Sequence, residues 1–306
     1  MTTQSGTTVG FVGLGIMGSP MAAHLVAAGH RVAGYDLNTE AVTRLANAGG
    51  RAATSVADAV AGAEVVITML PADPHVEQVV LGEGGVLDTA TPGTLLIDMS
   101  TVRPETSQRV ASAAAERGLR ALDAPVSGGE AGARQATLSI MVGGDEADFA
   151  RAKPLFDALG KTIVHVGPSG AGQVVKAANQ LVVGGIYALV SEAIVLLEAS
   201  GVDAKAGLDV LAGGLAANRI LDLKRESMVA RRFQPGFRID LHHKDMGIVL
   251  AAARQAEVAL PVGGVVAQLV QAARSMGYGS LDHSALLKVV ERFSGHDTHD
   301  EHDMPE

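Results

Sequence analysis

With 306 residues, 47% hydrophobic and 19% charged, the chain is long enough for two globular domains and too apolar for a disordered protein. Its 24 Lys and Arg against 33 Asp and Glu give a net charge of −9 and no basic footprint for nucleic acid or an anionic membrane, although Asp297, Asp300, Glu301, Asp303 and Glu306 make part of this a tail effect. The absence of Cys excludes disulfides, thiol nucleophiles and Cys-based zinc or iron–sulfur sites, and it fits a reducing compartment.

The opening MTTQSGTT lacks a basic n-region and runs straight into a strand, so no signal or transit peptide is expected. From Thr8 to about Val166, short apolar runs (GFVGL, RVAGY, EVVITML, TLLIDM, LRALDAPV, LSIMVGG, TIVHV) alternate with segments of helical spacing such as Pro104 to Arg117. Strands apolar throughout and separated by helices predict an α/β domain, a doubly wound and mostly parallel sheet of Rossmann type covered on both faces. After Gly167 the alternation stops. Gly170 to Ala199 is one long apolar-rich stretch, and Asp203 to Leu211, Asp240 to Glu257, Pro261 to Met276 and Ser284 to Phe293 read as helices of a second, all-helical domain.

The expected limits are 1–167 for the sheet domain, 168–295 for the helical domain and 296–306 for a polar, charged tail expected to be disordered. His296, His299 and His302 in that tail could be read as metal ligands, but a solvated tract is the expectation and no metal site is predicted. The long helix is apolar around much of its circumference, which predicts burial on several sides and a homodimer or homotetramer. Its longest uninterrupted apolar run, Leu181 to Val190, falls short of the roughly 20 residues a membrane span needs, so a cytoplasmic protein is expected.

Gly13, Gly15 and Gly18 form G-x-G-x-x-G between the first strand and the helical run Met17 to Ala28. In that context the first glycine makes the tight turn, the second lets backbone approach a pyrophosphate, and the third allows close helix–strand packing. The anion then lies at the helix N-terminus, where unpaired N–H groups and the macrodipole favour it. The second strand, Arg31 to Tyr35, ends at Asp36, close to the expected spacing for a carboxylate that bonds a ribose 2′-OH. Leu37 and Asn38 supply no Arg for a 2′-phosphate, so NAD is expected over NADP. The alternative is a plain structural turn, with Asp36 capping the helix that begins near Thr39.

At FVGLGIMGSPMAAHL, with Met17, Met21, Ala22 and Ala23, the chain resembles the β-hydroxyacid dehydrogenases (3-hydroxyisobutyrate dehydrogenase-like), although His24 stands where many relatives carry Asn. TMLP (68–71), DMST (98–101), DAPVSGG (123–129), GQVVKAANQ (172–180) and HKD (243–245) follow in order, and the resemblance covers roughly Val9 to Phe293. It implies hydride transfer between NAD(H) and a small 3-hydroxy acid or its aldehyde. By it, the loop glycines with Met17, then Met69, Leu70, Pro71 and Thr101, bind the cofactor, with Lys244 contacting it from the helical domain and supported by Asp245. Ser127, Gly128 and Gly129 correspond to the substrate carboxylate site, Lys176 to the catalytic lysine and Asn179 to a substrate-orienting residue.

The residues themselves allow these roles. Glycines beside a hydroxyl after a strand can form an anion-binding concavity or a plain turn. Lys176 and Asn179 share a helical face. An ammonium can stabilise a developing alkoxide and then protonate it, but a Lys among Val174, Val175, Ala177 and Ala178 could equally snorkel to solvent. Asn179 followed by Gln180, with GGLAANRILD and FRIDLHHKD, resembles the branch that reduces tartronate semialdehyde, whose 2-hydroxyl a polar Gln180 could bind; the 3-hydroxyisobutyrate branch typically carries a second Asn there. Imine reductases of the same architecture generally replace the lysine. A protein that senses NAD without turnover would need none of Lys176, Asn179 and Ser127.

Overall fold

In the computed structural model the described residues are 6–296, and they divide between two compact units, the first ending at Lys176 and the second beginning at Ala177. The first unit is built on nine strands: β1 (Thr8–Val12), β2 (Arg31–Tyr35), β3 (Arg51–Ala52), β4 (Val65–Thr68), β5 (Leu95–Asp98), β6 (Arg120–Asp123), β7 (Val126–Ser127), β8 (Leu138–Gly144) and β9 (Gly160–Gly167). Their order is β3-β2-β1-β4-β5-β6-β8-β7, with β9 paired to β8. Every pairing from β3 through β6 is parallel, as is β8 with β9, while β8 runs antiparallel to β6 and β7.

Alternation of side chains puts both faces of this sheet into core. Phe11, Ile67, Leu95, Ile97 and Leu122 join one apolar cluster with Leu14, Met21 and Leu25 of the first crossover. Val66 and Leu96, one residue out of phase, join another with Val76, Val80, Val110 and Leu119. The expected doubly wound α/β sheet is therefore present. The two-residue strands β3 and β7 were not legible from sequence, because neither has room to show a period of two.

The chain leaves β1 toward β2 and β3 and then returns to β4 on the other side of β1. The ends of β1 and β4 thus flank a topological switch point, where open α/β sheets bind ligands. Past the expected limit at Gly167, the first unit continues into the helix Ala171–Ala199, whose leading turn is held by Asp123: Oδ1 accepts from the Gly170 N–H at 2.7 Å and Oδ2 from the Gln173 N–H at 3.1 Å.

The second unit is all helical among its described residues. It contains the remainder of Ala171–Ala199 together with Ala204–Gly213, Arg219–Val229, Ile239–Gln255, Pro261–Ala273 and Leu286–Ser294. Tyr187, Ile194, Leu208, Leu221, Met228, Met246, Val266 and Leu287 form its core. Helix Arg219–Val229 has no counterpart in the sequence reading. Its apolar periodicity is broken by Asp222, Lys224, Arg225 and Glu226, and its start is set by the Asn218 side chain accepting from the Leu221 N–H. Helix Pro261–Ala273 gives way at Arg274–Tyr278 to a wider turn that ends where Gly277 adopts a positive φ of 87°.

The long helix is 29 residues, and by length and composition it is apolar enough to cross a membrane (mean hydropathy 1.9), which the run Leu181–Val190 read alone does not reveal; 44% of that window is buried inside the structure. Val182, Leu189 and Leu196, spaced seven apart, form an exposed apolar stripe along it. At the C-terminal end the His296 N–H donates to the Glu291 carbonyl, and the ring Nε2 lies 3.1 Å from Glu198 Oε2. His299 and His302 lie outside the described residues. Among the described residues no cluster of three or more His, Asp or Glu is placed to hold a metal.

Candidate active site

Each glycine of the loop after β1 has a distinct constraint. Gly13 has φ +99°, donates its N–H to the Tyr35 carbonyl at 2.9 Å, and has no room for a Cβ beside the Met69 carbonyl. A Cβ on Gly18 would collide with the Gly13 carbonyl, whereas one on Gly15 would meet nothing within 4 Å. The first and third are thus filled by protein, and the second opens onto free space. Helix Gly18–Ala27 starts there with Met17 before it and, among the described residues, no capping side chain and no acid in its first turn. A helix N-terminus without a capping side chain beside an open glycine is the arrangement an anion site uses.

Asp36 at the end of β2 braces the loop. Oδ2 accepts the Leu14 N–H at 2.6 Å and Oδ1 the Asn38 N–H at 2.7 Å. Helix Thr39–Asn47 is capped by Asn38, whose Oδ1 accepts from the Glu40 N–H, so the capping alternative for Asp36 does not apply. The open cradle, the uncapped helix end and a carboxylate at the β2 tip fit a dinucleotide.

Two further loops leave the C-terminal ends of neighbouring strands. After β4, the Met69 N–H donates to the Val12 carbonyl and the Leu70 N–H to Ser100 Oγ at 2.8 Å; Met69 and Leu70 are half-buried and Pro71 is exposed. After β5, half-buried Thr101 follows Ser100, whose N–H donates to Asp98 Oδ1 at 3.1 Å. That oxygen also accepts from Thr68 Oγ1 at 2.8 Å. Burial pushes the Asp98 carboxyl above its ordinary range; the bonds from Ser100 and Thr68 pull it down, and the adjacent Asp123 pushes it up further. Asp98 and Asp123 are register partners on β5 and β6, and Asp123 too is raised by burial against the pull of the N–H groups it accepts.

Lys176 is buried, 6% exposed, and does not snorkel: its Nζ donates to the Val126 carbonyl at 2.7 Å. Val126 immediately precedes Ser127, Gly128 and Gly129, and the two glycines take φ +135° and +59° as β7 turns into helix Gly129–Arg134. The structure thus brings Lys176 to the Ser127–Gly129 turn inside the first unit. His24 reaches the far end of that short helix, with Nε2 3.0 Å from the Arg134 carbonyl.

In the second unit a polar chain runs through the buried end of helix Ile239–Gln255. Asn179 Nδ2 donates to Gln180 Oε1 at 2.8 Å, Gln180 Nε2 donates to Asp245 Oδ2 at 2.5 Å, and Asp245 Oδ1 pairs with Lys244 Nζ at 3.1 Å. Gln180 and Asp245 are almost wholly buried and Asn179 is half-buried. Asp245 therefore contacts both Lys244 and Gln180. Sequence reasoning had no role for Asp98, Ser100 or Asp123. All three stood inside the motifs DMST and DAPVSGG, which were the available signal, but their partners lie up to 73 residues away.

Residues 8–167 match the NAD binding domain of 6-phosphogluconate dehydrogenase, and residues 170–290 match the NAD-binding domain of NADP-dependent 3-hydroxyisobutyrate dehydrogenase. The chain is 41% identical over 288 residues to 2-hydroxy-3-oxopropionate reductase of Escherichia coli K12, covering 94% of this chain and 98% of that protein. It is 41% identical over 292 residues to 3-hydroxyisobutyrate dehydrogenase of Pseudomonas aeruginosa, covering 92% and 98%. Among solved structures, Mycobacterium tuberculosis 3-hydroxyisobutyrate dehydrogenase with L-serine superposes with a TM-score of 0.84 at 37% identity, covering 93% of this chain and 99% of that one.

The unequal crowding of the loop glycines makes a prediction. Gly15→Ala should leave the melting temperature unchanged but weaken NADH binding about tenfold or more, the scale of losing one charge-assisted hydrogen bond. Gly18→Ala should lower the melting temperature as well. Fluorescence titration and a thermal melt separate the two, and a Gly15→Ala protein that binds NADH like wild type contradicts the assignment of the cradle.

Proposed function

The chain belongs to the 3-hydroxyisobutyrate dehydrogenase-like family of NAD(P)-dependent β-hydroxyacid dehydrogenases, and from that premise we propose that it reduces tartronate semialdehyde (2-hydroxy-3-oxopropanoate) to glycerate with NADH. The observation that carries this reading is the buried Lys176, whose Nζ is aimed by the Val126 carbonyl beside the Ser127–Gly129 turn. When bound, the nicotinamide cofactor supplies the hydride. The chain's own residues hold the substrate and handle charge and proton.

In this reading Ser127 and the N–H groups of Gly128 and Gly129 bind the carboxylate. Asn179, its amide orientation set by Gln180, aligns the aldehyde, and the Gln180 side next to it favours a 2-hydroxyl over a methyl group. As the aldehyde oxygen becomes an alkoxide, Lys176 Nζ donates a hydrogen bond and then the proton, which keeps the charge stabilised in a site that excludes water. Gly13, Gly15, Met17 and Gly18, with Met69, Leu70, Pro71, Thr101 and Lys244, would hold the cofactor. The runner-up reading is 3-hydroxyisobutyrate dehydrogenase, favoured by the equal identity of that relative.

The deciding assay is NADH consumption with tartronate semialdehyde, methylmalonate semialdehyde and succinate semialdehyde, with the first expected to give the highest kcat/KM. Turnover of none of them would leave an NAD-binding protein without this activity. In the same assay Lys176→Ala should lower kcat by roughly 10²-fold or more, with NADH affinity little changed, and Lys176→Arg should rescue poorly because a guanidinium gives up no proton near neutral pH. A folded Lys176→Ala protein with near-wild-type kcat ends the catalytic role of that lysine.

Asp36 carries the cofactor preference, since its carboxylate accepts from a free 2′-OH and repels a 2′-phosphate, while the following Leu37 is 89% exposed and offers no cation. The second domain's match to an NADP-dependent family favours the other cofactor, so the preference for NADH rests on Asp36 and its neighbours alone. The efficiency ratio should favour NADH and shift toward NADPH in Asp36→Ser/Leu37→Arg; a wild-type enzyme more efficient with NADPH refutes the role.

The Val182, Leu189 and Leu196 stripe supports a homodimer or homotetramer, and the Cys-free composition is compatible with the cytoplasm. Light scattering at assay concentration should find an oligomer, and an active monomer would rule it out.

A further inference from the structure

Gln173 has no part in the chemistry proposed above, yet it is 1% exposed and hydrogen-bonded through both ends of its carboxamide. Oε1 accepts from the Val102 N–H at 3.2 Å, and Nε2 donates to the Ser100 carbonyl at 2.9 Å. The donor and acceptor it meets fix which way the amide points. The side chain therefore grips the peptide groups on both sides of Thr101, from a position one helical turn before Lys176. Its own N–H is held by Asp123 Oδ2, and the same carboxylate holds the Gly170 N–H. The loop end is held too, since the Ser100 N–H donates to Asp98 and Ser100 Oγ accepts from the Leu70 N–H.

We propose that Gln173 is a positioning residue that registers the Ser100–Val102 loop, and Thr101 with it, against the helical turn that carries Lys176. The proposal rests on the catalytic reading of Lys176 and the cofactor reading of Thr101. Thr101 follows the end of β5 and Lys176 lies on helix Ala171–Ala199, and the buried Gln173 amide ties the backbone of the one to the helical turn before the other. Hydrogen-bonded burial is what makes the link stiff, because releasing either end leaves a desolvated peptide group unpaired. Misplacement by about 1 Å can cost on the order of 10²-fold in rate.

The test compares Gln173→Leu, Gln173→Glu and Lys176→Ala with wild type, using tartronate semialdehyde and NADH across pH 5.5 to 8.5, with NADH affinity and melting temperature measured on each protein. Gln173→Leu should lose about 10²-fold in kcat at every pH with NADH affinity kept. Gln173→Glu is the discriminating variant. A protonated carboxyl can accept from the Val102 N–H and donate to the Ser100 carbonyl, reproducing the amide, whereas the ionised form turns an acceptor toward that carbonyl in a pocket already containing Asp123 and Asp98, with Lys176 as the cation one turn on. Its kcat relative to wild type should therefore rise as pH falls and drop as pH rises, while the Gln173→Leu ratio stays flat. Should Gln173→Leu not fold, the slope of the Gln173→Glu ratio decides alone.

A wild-type kcat in folded Gln173→Leu, or a flat ratio in Gln173→Glu, overturns the positioning role. Wild-type kcat in Lys176→Ala overturns the catalytic reading and this proposal with it. Loss in Lys176→Ala beside a wild-type Gln173→Leu overturns the positioning role only.

Discussion

A buried carboxylate at the end of β6 governs where Lys176 can be. The first turn of any helix leaves N–H groups without intrahelical partners, and here two of them, from Gly170 and Gln173, end on the two oxygens of Asp123. That contact fixes the starting point of the helix Ala171–Ala199. Lys176 follows one turn later, and its Nζ reaches the Val126 carbonyl three residues beyond Asp123 on the same return of the chain. A carboxyl excluded from water holds its partners at one distance, and burial raises its pKa even as those N–H groups lower it.

The cofactor side obeys a packing constraint of the opposite kind. Gly13 and Gly18 are where the chain has no space for a side chain, and Gly15 is where it has space to spare. The contrast places the loop hard against the ends of β1 and β4 while leaving its outer edge open to an anion. Asp36 contributes twice, as a brace for the Leu14 N–H and as the negative charge at the β2 tip. These features are shared by nucleotide-binding sheets in general, so they speak to cofactor and not to substrate.

The second unit holds a short polar chain of its own. The chain Asn179–Gln180–Asp245–Lys244 is made of charged and amide groups, with Gln180 and Asp245 buried and the two ends partly exposed. Gln180 sits at its centre, and a shorter Asn there would have to reach Asp245 with one methylene fewer. Two relatives, each 41% identical to this chain, are named for different substrates, 2-hydroxy-3-oxopropionate and 3-hydroxyisobutyrate.

From the sequence alone came the two-domain plan, the mostly parallel sheet, the loop glycines with Asp36, and the motifs that contain Ser127, Lys176, Asn179 and Lys244. Each was legible because its signal is local: apolar runs alternating with helical spacing, glycines between a strand and a helix, or a contiguous run of matching residues. Tertiary structure alone decided that Lys176 is buried and not snorkelling, that Asn38 and not Asp36 caps the following helix, and that Asp123, Asp98, Ser100 and Gln173 tie three strand ends to one helix. The bonds that join the strand ends to one another and to the helix span 30 to 73 residues. No periodicity or spacing encodes them, because a hydrogen bond across a sheet depends on which strands become neighbours, and that is settled only when both faces of the sheet are packed.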